Sequence, residues 1–218
     1  MSKLPVDYDS DPERWANRDP STQVFGDVHE GVAKRISLEM ATPTLDIGGG
    51  QGRLAAVLPE GWPTILVDSS PAQLVTASPP KLRADATNLP FRDGVAGSVA
   101  MLWMLYHLDD PVHAIGEAKR VLRPGGLLFA STSSRRNDPE LTDGYPATGF
   151  DAEEAESIVS SVFDHVTVER WDAPMTYLPD APAVLRYCRS HFLPARAADR
   201  VVPPVWLTKR GCLVIARR

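Results

Sequence analysis

Cysteine is scarce in this chain of 218 residues: there are two, Cys188 and Cys212, too few and too far apart for a metal knuckle or a disulfide framework. Both read as reduced thiols. Positive charge is also in deficit, 23 Lys and Arg against 28 Asp and Glu for a net charge of −5. That leaves no broad basic field and argues against nucleic acid or an anionic membrane as a partner held by charge. Long apolar runs are missing. The longest, residues 99–106, falls far short of the ~20 residues that span a bilayer. The opening MSKLPVDYDSDPERW has no apolar stretch behind its lysine of the kind a secretory signal needs. These absences predict a cytoplasmic protein, monomer or homodimer, whose partner is a small molecule. Proline is in excess, with 20 residues placed mainly in connections such as Pro79-Pro80 and Pro203-Pro204.

What the chain does have is LDIGGGQGRL at residues 45–54. An apolar strand around Leu45 and Ile47 runs into Gly48, Gly49, Gly50 and Gly52, and an apolar-spaced helix follows to residue 58. Glycine suits such a turn because it accepts positive φ and lets a ligand approach the backbone. The helix start offers unpaired N–H donors to an oxygen acceptor, and Asp46 reads as a fixed anion at the mouth. The dinucleotide fingerprint wants glycine at its first, third and sixth places, but the sixth place counted from Gly48 is Arg53. A phosphate-cradling loop ending in Gly-Lys-Ser/Thr is absent as well. An NAD-linked oxidoreductase is therefore disfavoured.

Around this turn, residues 1–22 read as a polar arm carrying Tyr8 and Trp15, followed by a helix over 28–40. Strands are predicted at 44–47, 64–67, 82–84, 99–102 and 126–131, alternating with helices at 71–77 and 111–122. This βαβα rhythm implies a parallel, doubly wound α/β sheet whose strand C-termini share one edge, with the ligand crevice along it. Beyond it come a helix at 151–162, with Asp151 as N-cap and Glu154 completing a capping box, and strands at 166–171 and 212–216. A helical insertion is predicted at 180–192, with Leu185, Cys188 and Phe192 on a shared face.

The second predicted strand, TILVD, ends in Asp68, whose carboxylate can accept both hydroxyls of a ribose; capping the next helix is a compatible role. The third ends near Asp85, placed to accept an adenine amine with Ala84 or Ala86 supplying a backbone N–H. The strings Asp85-Ala86, Leu89-Pro90-Phe91, Asp93-Gly94, Leu105-Tyr106-His107-Leu108, Asp110-Pro111 and Val121-Leu122-Arg123-Pro124-Gly125-Gly126 follow in order. With Asp46, Gly48, Gly50 and Gly52 as an acidic-x-Gly-x-Gly-x-Gly motif, the chain over residues 45–131 resembles the class I S-adenosylmethionine-dependent methyltransferases, in particular the quinone-ring and small-molecule (type 11) group.

The resemblance implies a single-domain Rossmann-like fold: a seven-stranded, mostly parallel sheet of order 3-2-1-4-5-7-6, the last strand antiparallel, with helices on both faces. Residues 1–40 would form an arm and helix contributing to a lid, 41–132 the cofactor-binding half and 133–218 the substrate-side half. It implies S-adenosyl-L-methionine as cofactor and S-adenosyl-L-homocysteine as product. Gly48, Gly49, Gly50 and Gly52 would lie along the methionine part, Asp68 and Ser69 at the ribose, Asp85 and Ala86 at the adenine, and Met101 and Leu102 at the ammonium. Gly49 replaces a more usual cysteine or serine. Gly97 stands where relatives carry an acid, an exchange expected to loosen the strand entrance.

Methyl transfer from a sulfonium needs alignment and exclusion of water more than covalent help. Should the acceptor lose a proton, His107 is the candidate base, with packing or capping as its rival role. Trp103, Tyr106, Tyr8, Trp15 and Arg135 are the candidate acceptor-pocket residues. The aromatics would suit a flat or apolar acceptor and Arg135 an anionic group. Core packing is the rival for Tyr106, pinning of the arm for Tyr8 and Trp15, and a solvated turn for Arg135 with Arg136. His29, His113, His165 and His191 lack partners at ligand spacing, so no metal is predicted. Methylation of RNA or protein, and a cofactor-binding scaffold without transfer, remain open alternatives.

Overall fold

A computed structural model describes residues 23–24, 26–78 and 80–218, the first two by backbone alone. The strands are β1 (Gln23–Val24), β2 (Thr44–Ile47), β3 (Thr64–Asp68), β4 (Lys81–Arg83), β5 (Ala96–Leu102), β6 (Leu122–Ser133), β7 (His165–Leu178) and β8 (Val205–Arg217). The helices are α1 (Val28–Leu38), α2 (Arg53–Val57), α3 (Pro71–Val75), α4 (Pro111–Val121), α5 (Ala155–Ser160) and α6 (Ala181–Ser190), with short 3-10 turns at Leu105–His107 and Ala195–Arg200. All eight strands join one sheet in the order β1-β7-β8-β6-β5-β2-β3-β4. Without the two-residue β1, this is the expected order, β8 running antiparallel between β6 and β7.

β2 is buried at all four positions, enclosed between its parallel partners β3 and β5. Leu45 and Ile47 join one cluster with Val99, Met101, Leu128, Val214 and the inner face of α4. On the opposite face Ala100, Leu102, Phe129, Leu213 and Ile215 meet Val32, Ala33 and Ile36 of α1 and Leu54 of α2. Phe129 is wholly buried there, a contribution of about 2–3 kcal/mol by area. Asp27 starts α1, its carboxylate accepting the His29 N–H at 2.9 Å, and Asp110 caps α4 through the His113 N–H at 3.0 Å. Cys188 and Cys212 are buried and unbridged. None of the described helices is long and apolar enough to cross a membrane.

Three expectations change. The helix predicted from Asp151 is shorter: α5 starts at Ala155, and Asp151 accepts from Thr148 N at 3.0 Å and Thr148 Oγ1 at 2.7 Å, so it stabilises the preceding turn and caps nothing. Glu154 occupies the N-cap position without a side-chain cap bond because its carboxylate is turned to Arg135. On α6 the buried stripe is Ala183, Val184, Tyr187 and Cys188. Leu185, one position off it, is 48% exposed, and Phe192 lies past the helix end at φ 57°. At Gly97 the entrance of β5 is irregular as expected, its pairing with β6 shifting between Ala96 and Ser98; the Gly97 N–H donates to Pro43 O at 2.9 Å, and a Cβ there would stand 2.5 Å from Thr42 O. The missing side chain permits close approach of the β2 entrance. Finally, β7 and β8 extend well beyond the predicted segments, β7 passing Pro174 where the register shifts between Pro174 and Thr176.

Candidate active site

The turn after β2 places three glycines at positive φ, 65° at Gly48, 55° at Gly50 and 84° at Gly52. At Gly48 the need is double, since a Cβ would also meet Met104 Cβ at 2.7 Å. Gly49 is required by its neighbour, because a Cβ there would stand 2.4 Å from Asp46 Oδ2. The Gly50 N–H donates to Asp68 Oδ2 and the Ser70 N–H to Asp68 Oδ1, each at 2.9 Å. Each carboxylate oxygen therefore keeps acceptor capacity for a ligand. Ser70 caps α3 through the Gln73 N–H at 3.3 Å, so Asp68 does not act as the cap.

Gly48, Asp68, Ser69, Asp85 and Ala86 are brought together around a hollow of about 130 Å³, walled by Ile47, Val67, Ala84, Met104 and Leu108. Asp85 is exposed, and its Oδ1 accepts both Thr87 N at 2.8 Å and Thr87 Oγ1 at 2.7 Å. Those bonds hold its carboxyl below the usual range. Met104 and Leu108 are given no site role by the sequence. Met104 sits at the end of the apolar run 99–106, and its place two residues past the β5 terminus was the available signal.

Asp46 corrects an expectation. Its carboxyl is 2% exposed, lies beneath the turn and away from the rim, and leaves Oδ2 without a hydrogen-bond partner. Desolvation, with the Asp68 charge adding to it, pushes it up to about 7, so it is no fixed anion at the mouth. Met101 and Leu102 end β5, buried on opposite faces of the sheet. Gly49, Gly50, Gly52, Met101 and Leu102 do not line the hollow.

The candidate acceptor residues scatter. Trp103 has φ 59°, donates its N–H to Ser131 O at 3.2 Å, and meets Trp171 edge-on at 5.9 Å on the α1 side. It packs there and does not line the hollow. Tyr106 packs against the α4-side core, and burial raises its phenol. His107 has its ring 4.3 Å from that of Tyr106, and burial lowers its imidazole to about 4, so it is neutral near pH 7 and a weak base. Arg135 is not held for a ligand: it pairs with Glu154, with Asp151 at 3.6 Å and with Glu153 at 3.7 Å. Tyr8 and Trp15 lie outside the described residues. Among the described residues no group of three or more His, Cys, Asp or Glu side chains is placed to hold a metal.

The donor set suits an adenosyl group. Asp68 offers acceptors for a vicinal diol, Asp85 an acceptor for an exocyclic amine, and Ile47, Val67, Ala84 and Leu108 an apolar wall for a flat ring. Comparison with known proteins agrees. A family model described as "Methyltransferase domain" matches residues 45–130. An uncharacterized methyltransferase of Mycobacterium sp. (strain JLS) is 30% identical over 130 residues, 56% of this chain and 51% of that one. A ubiquinone/menaquinone biosynthesis C-methyltransferase of Hahella chejuensis is 31% identical over 124 residues, 50% of this chain and 49% of the other. The chain thus spans about half the length of these relatives. Among solved structures, the [4+2]-cyclase SpnF has the same fold at a TM-score of 0.65 and 14% identity, over 100% of this chain and 99% of its own.

Proposed function

Since the chain belongs to the class I S-adenosylmethionine-dependent methyltransferase family through residues 45–130, we propose that it transfers a methyl group from S-adenosylmethionine to a small-molecule acceptor. The observation that carries this reading is the convergence of the glycine turn, Asp68 and Asp85 at successive strand ends around one hollow. The bound cofactor supplies an electrophilic methyl carbon on a sulfonium. The chain's residues hold and orient it: Asp68 takes the ribose hydroxyls, Asp85 with Ala86 the adenine edge, and the turn Gly48–Gly52 the methionine part. Met104 and Leu108 keep water from the hollow.

The acceptor is a small molecule of specialised or quinone-like metabolism, met in the cytoplasm. A net charge of −5 favours it over RNA, and the C-methyltransferase relative acts in quinone biosynthesis by its description. Residues 41–132 would serve as the cofactor half and 133–218 as the acceptor half of one domain. His107 serves as base only for an acceptor whose proton is already labile. A second reading is cofactor binding without methyl transfer, since burial leaves His107, the candidate base, neutral and weak.

Calorimetry with S-adenosylhomocysteine tests the proposal: binding in the micromolar range is expected, and none at millimolar ligand refutes it. Asp68→Ala should weaken that binding at least about tenfold, roughly 1.5 kcal/mol for a lost charge-assisted hydrogen bond. A tritium-transfer assay over candidate metabolites separates the two readings.

A further inference from the structure

A groove of about 470 Å³ lies between α1 and the paired strands β7 and β8, against about 130 Å³ for the hollow of Asp68 and Asp85, and the two share no lining residue. Its volume falls within the range of small-molecule sites. α1 lines the groove with Val28, Gly31, Arg35 and Leu38, a spacing that sets all four along one face of a helix. Gly31 stands in the middle of this stripe. Glycine in a helix interior is destabilising relative to alanine, and nothing local calls for it: its φ is outside the left-handed region, and a Cβ there would meet none of the described residues within 4 Å. Gly48, Gly49 and Gly97, by contrast, each have a neighbour that a Cβ would strike. What Gly31 supplies is room, because a side chain at that position would stand in the groove at mid-length.

The floor opposite is aromatic and fixed. Trp171 lies against Gly211, where a Cβ would stand 2.5 Å from its Cζ2, and meets Trp103 edge-on at 5.9 Å. Leu213 extends the floor beside it. The indole is thus set before any ligand arrives, and a flat apolar body can lie on it with little ordering cost. The rim leaves one charge unmatched. Arg35 is paired with Glu169 at 2.7 Å and Asp27 with Arg53 at 2.6 Å, whereas Lys34, also on the rim, makes no ion pair among the described residues. Its ammonium suits an anionic group. We propose that this groove is a binding site for a flat, apolar molecule carrying one carboxylate, its body between Trp171 and the bare backbone of Gly31 and its carboxylate toward Lys34. The site needs neither Asp68 nor Asp85 and stands apart from the cofactor reading. In the sequence nothing joins Gly31 to Trp171, which lie in distant segments.

The test titrates the full chain with 2-naphthoate and with its uncharged counterpart 2-naphthalenemethanol, followed by calorimetry and by NMR at the Gly31 backbone N–H and the Trp171 indole N–H. Both probes should shift these two signals saturably, the carboxylate binding more tightly. Lys34→Met should weaken 2-naphthoate about twofold to fivefold, the size of an exposed ion pair, and leave 2-naphthalenemethanol unchanged. Gly31→Leu fills the middle of the groove and should abolish binding of both, while its melting temperature stays at or above that of wild type because leucine suits a helix better than glycine. Equal affinity of Gly31→Leu and wild type overturns the proposal, since the probes then bind elsewhere. An equal loss of both probes with Lys34→Met overturns the assignment of the carboxylate. Absence of any saturable shift at millimolar probe overturns the site itself, the result expected if a second copy of the chain or residues 1–22 cover the groove instead. Should Gly31→Leu fail to fold, the wild-type shifts and the Lys34→Met comparison still decide.

Discussion

Asp46 and Gly49 constrain each other. The carboxyl fills the space a Gly49 side chain would need, and its burial raises its pKa from 3.8 to about 7. A folded-state pKa above the unfolded one means the native protein holds the proton where the unfolded chain has released it. The resulting penalty is absent below about pH 4, grows between about 4 and 7, and is complete above 7, on the order of a few kcal/mol. Asp46→Asn should therefore melt above wild type at pH 8 and together with it near pH 4, as thermal scans across pH will show. A gap independent of pH would mean that the carboxyl titrates normally. The acid and its place in the motif are legible in the sequence, whereas its environment is not. Strand alternation assigns Asp46 to a face of β2, but only the parallel pairing with β3 and β5, Asp46 opposite Leu66 and Ala100, shows that this face is sealed. Arg135, a candidate for an anionic acceptor group, is placed by the fold for a similar reason: nothing local shows that Asp151, Glu153 and Glu154 are brought to it in its turn.

Helix α4 holds the loop beyond Asp85 by one side chain. Arg120 donates to Leu89 O at 3.0 Å, Phe91 O at 2.7 Å and Asp93 Oδ1 at 2.8 Å, and is itself paired to Glu117, which accepts the Leu89 N–H at 2.8 Å. These bonds secure residues 89–93, just beyond Asp85, and they need a planar fork of five donors that lysine lacks. Arg120→Lys should destabilise the protein by about 2 kcal/mol, lowering the melting temperature by about 4–8 °C. It should also weaken S-adenosylhomocysteine binding, measured by calorimetry below the melt. Unchanged affinity would show that the Asp85 turn stands without this support. The parallel strands were readable because glycine or proline bounds each apolar run; β2 matches its predicted limits. β5 starts three residues earlier than predicted, at Ala96, since Gly97 and Ser98 interrupt the apolar pattern that marks a strand. β7 and β8 were cut short where charges and Pro174 replace simple alternation, because there the partner strand, and no local preference, keeps the chain extended.

At the scale of the whole molecule, β7 and β8 run on past the end of β6, pairing from Asp172 with Arg210 to Leu178 with Val205. Onto this extension α6 and residues 195–200 pack a separate small core of Leu141, Leu178, Val184, Tyr187 and Leu207. The loop after β6 is fastened to it by Asp138, fully buried at φ 52°. Asp138 accepts from Tyr145 OH at 2.8 Å, Tyr187 OH at 3.0 Å and Lys209 Nζ at 2.7 Å, while Glu140 accepts the Thr208 N–H. None of these groups belongs to the hollow that holds Asp68 and Asp85, so the two halves should loosen independently. Asp138→Ala strands Lys209 and two tyrosines without their common acceptor, a loss on the order of 3–5 kcal/mol for a broken buried pair. Hydrogen exchange should then accelerate over residues 134–145 and 181–207 and stay unchanged over 44–68, with S-adenosylhomocysteine affinity within about twofold of wild type. Adding Lys209→Met removes the orphaned charge and should restore part of the protection. Acceleration that spreads into 44–68, or a matching fall in affinity, would instead show that Asp138 stabilises those residues as well, and that the two regions open as one unit.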